Sequence, residues 1–145
     1  MKVFLDTSVL IAAFYQVHEH HHKSLEVLLR FSKPEAGCSA HSLVEVYSRV
    51  TSMPGEMRVP AHEALLFIED LRARLTLINL EAEEYSAMLS SAAERNVFGG
   101  AIYDCLHAEC AIKAKAEALY TWNVRDFERV AAPALRVLRP TELRD

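Results

Sequence analysis

Apolar residues recur along the chain in two spacings, and the alternation between them predicts the elements. Residues 2–5 form a short apolar run that reads as a strand and stops at Asp6. Thr7 or Ser8 is then placed to cap a helix carrying residues 9–14. A second helix is expected to start in the histidine-rich stretch and run through Leu25, Leu28 and Leu29, followed by a short strand of small residues, Ala36-Gly37-Cys38-Ser39. Ala40, Leu43, Val44, Tyr47 and Val50 recur at helical spacing until Pro54-Gly55 closes the element. Pro60 suits a first helical position ahead of the stripe Ala61, Ala64, Leu65, Ile68 and Leu71. Residues 75–78 read as a strand, and Tyr85, Met88, Leu89 and Ala92 mark the helix after it. Gly99-Gly100 breaks the chain before a helix over about 101–116, and residues 118–121 and 135–138 supply two more strands.

Strands alternating with helical stripes indicate βα units and a mostly parallel sheet, an α/β class. The carboxyl ends of its strands then share one edge, where ligands bind at the point of strand-order reversal. No composition shift, repeat or linker divides the chain, so residues 1–145 read as a single domain. A hydrophobic fraction of 51% with 25% charged residues excludes a disordered chain. Four Gly and five Pro, below average usage, argue against collagen-like, linker-rich and turn-dense all-β chains. Three cysteines, Cys38, Cys105 and Cys110, without C-x-x-C spacing favour buried thiols in a reducing cytoplasm. No apolar run approaches the roughly 18–20 residues needed to cross a bilayer, so the expectation is a cytoplasmic protein with no membrane partner.

Four carboxylates fall on the expected ligand edge. Asp6 follows the first strand, Glu45 lies in the helix after the second, Asp104 sits in the first turn after Gly99-Gly100, and Asp126 lies just beyond Thr121. Each has an ordinary role open to it. Asp6 and Asp126 suit helix entry, Asp104 suits a helix dipole, and Glu45 has His41 and Arg49 one turn away on an exposed face. The helix of Asp104, however, is apolar nearly all round, and a buried ionised carboxylate is costly without a compensating cation. Carboxylates gathered on one edge raise one another's pKa unless a cation binds between them. Hard oxygen ligands suit Mg²⁺ or Mn²⁺, and an open hydrated site of that kind activates water against a phosphoryl group with no Ser or Cys nucleophile. Net charge is −4, from 20 acids and 16 bases. Four acids committed to metal would leave the remainder balanced, so the mild acidity excludes no phosphate-bearing substrate.

Val3-Phe4-Leu5-Asp6-Thr7-Ser8-Val9-Leu10, Leu43-Val44-Glu45-Val46-Tyr47, Tyr103-Asp104-Cys105-Leu106-His107-Ala108 and Leu119-Tyr120-Thr121-Trp122-Asn123-Val124-Arg125-Asp126-Phe127 resemble the successive motifs of PIN-domain nucleases. The match is nearest to the VapC-type ribonuclease toxins of bacterial toxin–antitoxin modules, and it spans nearly the whole chain in order. The resemblance implies a three-layer α/β/α fold around a parallel sheet of about five strands. It also implies Mg²⁺- or Mn²⁺-dependent endoribonuclease cleavage that leaves 5′-phosphate and 3′-hydroxyl ends, as by the toxin of a type II module. Carried over, Asp6 and Asp104 match the principal metal ligands and Glu45 the helix-borne acid that holds a metal-bound water or second metal. The fourth acidic position lies between Asn123 and Asp126. Thr7, Ser8 and Thr121 are the matching hydrogen-bonding residues around the acids, together with Asn123. A homodimer and an antitoxin whose C-terminal segment presents Arg to the acids are implied as partners, and such a bidentate Arg would replace the metal's charge.

The remaining features admit plainer readings. His18-Glu19-His20-His21-His22 offers imidazoles to a transition metal, but consecutive positions fan round a helix, and a solvated helix start is expected. His107 is expected to pack or hydrogen-bond. Arg49 and Arg125, close to Glu45 and Asp126, are better candidates for RNA phosphates than Arg58 or Arg95. Trp122 and Tyr103 suit core packing, with base stacking as the alternative. A haloacid-dehalogenase-type phosphotransferase also starts with Asp after a strand, but Ser8 stands where its second Asp belongs. No phosphate-cradling glycine motif is present. A degenerate PIN domain that binds RNA or protein without cutting is the alternative outside enzymology.

Overall fold

A computed structural model describes residues 1–145. Its strands are β1 (Val3–Leu5), β2 (Ala36–Ser39), β3 (Thr76–Ile78), β4 (Ala118–Tyr120) and β5 (Arg136–Leu138). They pair in the order β3-β2-β1-β4-β5, all parallel. The helices are α1 (Thr7–Phe14), α2 (His21–Arg30), α3 (Ala40–Ser52), α4 (Ala61–Arg74), α5 (Ala82–Glu94), α6 (Ala101–Lys113) and α7 (Val124–Glu128). Two 3₁₀ turns, Gly55–Met57 and Pro140–Glu142, complete the chain.

Alternate residues of β1 point to opposite faces. Val3 and Leu5 join Val9, Leu10, Val27, Leu28, Val46, Val50, Ile68 and Leu71 of α1 to α4 in one core. Phe4 and Leu119 join Met88, Leu106, Ala108 and Phe127 of α5 to α7 in the other. The result is the expected three-layer α/β/α arrangement. Strands β1 and β4 are buried on both faces, so they read in sequence as continuous apolar runs. Phe4 is fully buried, and its truncation to Ala would cost about 3–5 kcal/mol.

Strand β2 is made of small residues for a reason visible in the sheet. A Cβ on Gly37 would stand 2.7 Å from the Thr76 carbonyl oxygen of β3 and equally close to the Met1 side chain. Helix α6 ends at Lys113, before the expected boundary, because Lys115 turns left-handed at φ 53°. Its amide bonds the Ile112 carbonyl, and that of Ala116 bonds Ala111. That closure satisfies the last carbonyls of the helix without a glycine.

Two expected stripes are rotated. In α3 the buried face is Ser42, Val46 and Val50, while Val44 and Tyr47 are exposed. In α4, Ala64, Ile68 and Leu71 are buried and Leu65 is exposed beside Leu66. The α3 rotation has a polar cause. Ser39 caps the helix through the Ser42 amide at 3.0 Å, and Thr7 Oγ1 donates to Ser42 Oγ at 3.0 Å, which turns a serine inward. In α1 the cap is Asp6 itself, not Thr7 or Ser8.

Strand β1 has β2 on one side and β4 on the other, so strand order reverses there. The crevice beyond the carboxyl ends of β1 and β4 is where an open α/β sheet receives ligands.

Candidate active site

Asp6 enters this crevice at the end of β1. Its side chain is 4% exposed. Oδ2 accepts hydrogen bonds from Thr121 Oγ1 at 2.8 Å, Ser8 Oγ at 2.7 Å and the Ser8 amide at 3.3 Å. Oδ1 takes none of these bonds. Ser8 Oγ also accepts from the Trp122 amide at 3.1 Å, and Thr121 Oγ1 from the Asn123 amide at 2.9 Å. The ends of β1 and β4 are thereby stitched together, with one Asp6 oxygen left over.

Asp104 stands opposite, in the first turn of α6, half-buried, and no hydrogen bond or ion pair engages its carboxylate. Burial, then the negative charges of Asp6 and Asp126, push it up to about 6. Glu45 reaches the cavity from α3. Its Oε1 meets His107 Nε2 at 2.6 Å and His41 Nε2 at 3.3 Å. Burial pushes the Glu45 carboxyl up, but the His107 hydrogen bond and charge, with His41 adding, outweigh it and leave it below its ordinary value. His107 is 1% exposed and meets Ser39 Oγ through Nδ1 at 2.8 Å. Burial pushes its pKa down, while the Glu45 bond and the charges of Asp6 and Glu45 lift it above the ordinary histidine value.

Asp6, Glu45 and Asp104 line one cavity of about 820 Å³. Thr7, Ser8, Arg49 and Asn123 line it too. Thr121 lies just behind, buried, bonded to Asp6. Asp126 lines a separate cavity of about 540 Å³, which it shares with Asp104. Arg125 lines neither cavity. Arg49 makes no ion pair with Glu45, whose partners are the histidines.

Of the walls, sequence reasoning named Trp122 and Tyr103 as stacking residues only as the alternative to core packing, in which Trp122 also takes part, and left the histidines to solvent. His18 and His20, expected in a solvated helix start, precede α2 and line the cavity. The His20 amide donates to His18 Nδ1 at 3.0 Å, and the His20 ring stacks on Trp122 at 3.7 Å and 9°. Trp122 is fixed in turn through Nε1 to Ser24 Oγ at 2.8 Å. On the other side His41 stacks with Tyr103 at 5.4 Å and 7°. Tyr103 is 53% exposed, so it is a wall residue and not core packing. The only available signal was adjacency, since Trp122 and Tyr103 each neighbour a proposed site residue.

No three His, Cys, Asp or Glu side chains close round a common point that could hold a metal ion, neither at the histidine run nor among the expected ligands Asp6, Glu45 and Asp104, because Glu45 is engaged by His107 and His41. What the cavity offers is an all-oxygen pair, the free Oδ1 of Asp6 and the unpartnered Asp104. This donor set suits Mg²⁺ or Mn²⁺, which keep several waters and bind through one or two carboxylates plus substrate phosphate.

The PIN domain family model matches residues 3–133. Ribonuclease VapC40 of Mycobacterium tuberculosis is 33% identical over 123 residues, covering 85% of this chain and 87% of its own. Among solved structures, VapC20 of M. tuberculosis, described as a sarcin-ricin loop cleaving toxin, superposes with TM-score 0.70 at 14% identity over 90% of this chain and 97% of that one. A toxin-antitoxin complex from Klebsiella pneumoniae gives TM-score 0.67 at 20% identity over 99% of this chain and 100% of that one. At those identities the structural matches establish the fold.

Proposed function

This chain belongs to the PIN-domain family, and we propose that it is a divalent-metal-dependent endoribonuclease, the toxin of a type II toxin–antitoxin module. The observation that carries the reading is that Asp6 and Asp104 line one crevice, the second with no hydrogen bond or ion pair and with the charge of His107 too weak to offset burial and the neighbouring acids. A bound Mg²⁺ or Mn²⁺ would supply Lewis acidity toward a phosphoryl oxygen and a water of lowered pKa for in-line attack. Asp6 Oδ1 and Asp104 would hold it. Ser8 and Thr121 fix the Asp6 carboxylate so that Oδ1 alone is presented. Glu45, held by His107 and His41, is placed to orient water and take its proton. Asn123 lines the cavity as a hydrogen-bonding group, and Asp126 acts on Asp104 from the neighbouring cavity. Arg49 is the guanidinium available there to a phosphate oxygen.

Exposed apolar side chains on α3 and α4 support protein partners. Val44 and Tyr47 of α3 and Leu65 and Leu66 of α4 are exposed, and apolar surface of this kind marks association. Val44 also lines the cavity, so an antitoxin or a second copy covering α3 would reach the acids. An antitoxin Arg entering there would neutralise Asp104 as a cation does.

Incubation of the purified chain with mixed single-stranded RNA in Mn²⁺ or in EDTA tests the reading. Cleavage with Mn²⁺ alone, leaving 5′-phosphate ends, is expected. RNA bound but never cut under any divalent ion would establish the non-cleaving PIN domain instead.

A further inference from the structure

The smaller cavity, about 540 Å³, plays no direct part in the chemistry above, yet it shares Asp104 and Gly100 with the larger one. The two cavities therefore adjoin at Asp104 and Gly100, which line both. Arg95 and Arg129 line the smaller half, as does Asp126. Ion pairs in this chain engage Lys2, Lys23, Arg30, Arg72, Arg74 and Lys113, but neither Arg95 nor Arg129. Arg95 is anchored through Nη1 to the Val130 carbonyl at 3.3 Å and lies against the Cys105 side chain, with none of its donors on a carboxylate.

The loop beside them is built, not slack. Helix α5 closes through Asn96 at φ 56°, with the Asn96 amide on Ala93 at 3.2 Å and that of Val97 on Ala92 at 2.8 Å. Gly99 follows at φ 63°, a conformation side-chain-bearing residues rarely adopt. Between these two left-handed positions Phe98 is held at the cavity rim, 79% exposed. One exposed ring is ordinary. Beside two guanidiniums that make no ion pair, at the edge of an acidic site, it has a chemical use.

Cutting an internal phosphodiester requires strand on both sides of the broken bond. The geometry points to the smaller cavity as the subsite for the strand beyond Asp104, with Arg95 and Arg129 on the phosphate next to the scissile one and Phe98 stacked on its base. Arg95 and Arg129 balance Asp104 and Asp126 on this lining, so a cation held at Asp104 would leave one positive charge for a phosphodiester monoanion, and a guanidinium fork fits its two free oxygens. Phosphate pairing and ring stacking do not read sequence, so the subsite contributes affinity and register. This inference rests on the ribonuclease reading and assigns that site its second half.

The test uses a single-stranded RNA cut by the wild-type chain, lengthened one nucleotide at a time on either side of the cut and labelled with fluorescein. Binding is followed by anisotropy against NaCl, in an Asp6→Asn background that leaves the RNA intact. Arg95→Gln with Arg129→Gln is expected to weaken binding about tenfold near 0.1 M salt and to flatten the salt slope by about 0.7 for each phosphate no longer neutralised. Phe98→Ala is expected to cost about fivefold or more. Both effects should appear only with oligonucleotides that extend past the cut on one side, and Arg95→Lys with Arg129→Lys should keep the slope while weakening the affinity in part. Equal affinity and slope in wild type and variants at every length would overturn the subsite while leaving the nuclease intact. Variants that bind RNA normally but fail to bind a protein partner would overturn it too. RNA that the wild-type chain neither binds nor cuts would overturn the nuclease reading and the subsite together.

Discussion

On the α3 side of the main cavity, Glu45 is tied to His107 at 2.6 Å and to His41 at 3.3 Å, and its carboxyl lies below the ordinary range. On the α6 side, Asp104 stands without a partner and is pushed up to about 6. The same fold neutralises one acid internally and leaves the other for something from outside. In a dry site the Asp104 displacement would correspond to about 3 kcal/mol, and solvent screening of this half-buried group reduces it to about 1 kcal/mol. On the proposed reading a cation would act at one wall only, while the protein itself supplies the counter-charge at the other.

The largest effect that would break this contrast is Asp104→Asn. RNA cleavage is expected to fall about 10³-fold or more, since one of the two carboxylates proposed to hold the Lewis acid would be gone. Thermal unfolding in EDTA should meanwhile show a fold more stable by about 1 kcal/mol, because a repelled charge has been removed. Retained cleavage, or a less stable metal-free fold, would show that the two sides do not differ as described.

Next comes the tied side. His107→Ala leaves Glu45 with His41 as its only ion-pair partner and removes one of the partners of Ser39, at an expected cost of about 2–3 kcal/mol in denaturant unfolding. The raised pKa of His107 makes its contribution complete below 6.5 and lost as pH rises through the higher folded value. The lowered pKa of Glu45 makes its contribution complete above 4.5 and lost as pH falls through the lower folded value. The pair therefore adds most between pH 4.5 and 6.5. Asp104 runs the other way: its penalty is absent below 3.8 and complete above about 6. Unfolding curves in EDTA across this range should separate the two in the His107→Ala and Asp104→Asn variants, and added Mg²⁺ should cancel only the Asp104 penalty.

Smaller effects sharpen the picture. Asp126→Asn removes one of the charges pressing on Asp104, and a cleavage rate changed by less than about tenfold is expected, because Asp126 faces the second cavity. Smallest is Arg49→Ala, with KM raised a few-fold, kcat unchanged and the salt slope of RNA binding flatter by about 0.7.

Much of the fold was legible because parallel strands buried on both faces leave uninterrupted apolar runs, as at β1 and β4. Even β2 was marked by its small residues, whose cause, the close approach of β3 and Met1 to Gly37, is visible only in the sheet. Helix faces were less legible. Val44, Tyr47 and Leu65 fit an apolar stripe and are exposed, because hydroxyl bonds at Ser39, Ser42 and Thr7 set the rotation of α3 and because apolar residues are not obliged to be inside.

By itself the sequence determined the succession of strands and helices and the placing of Asp6 at a strand end, with Glu45 and Asp104 near the starts of their helices, since these follow from local periodicity and from the rule that parallel strands expose one common edge. Only the tertiary structure decided which acid is partnered. His107 lies 62 residues from Glu45 in the chain, Thr121 lies 115 from Asp6, and Arg95 and Arg129 approach the second cavity from different elements. Electrostatic balance depends on distances through space, and chain spacing carries almost no record of those.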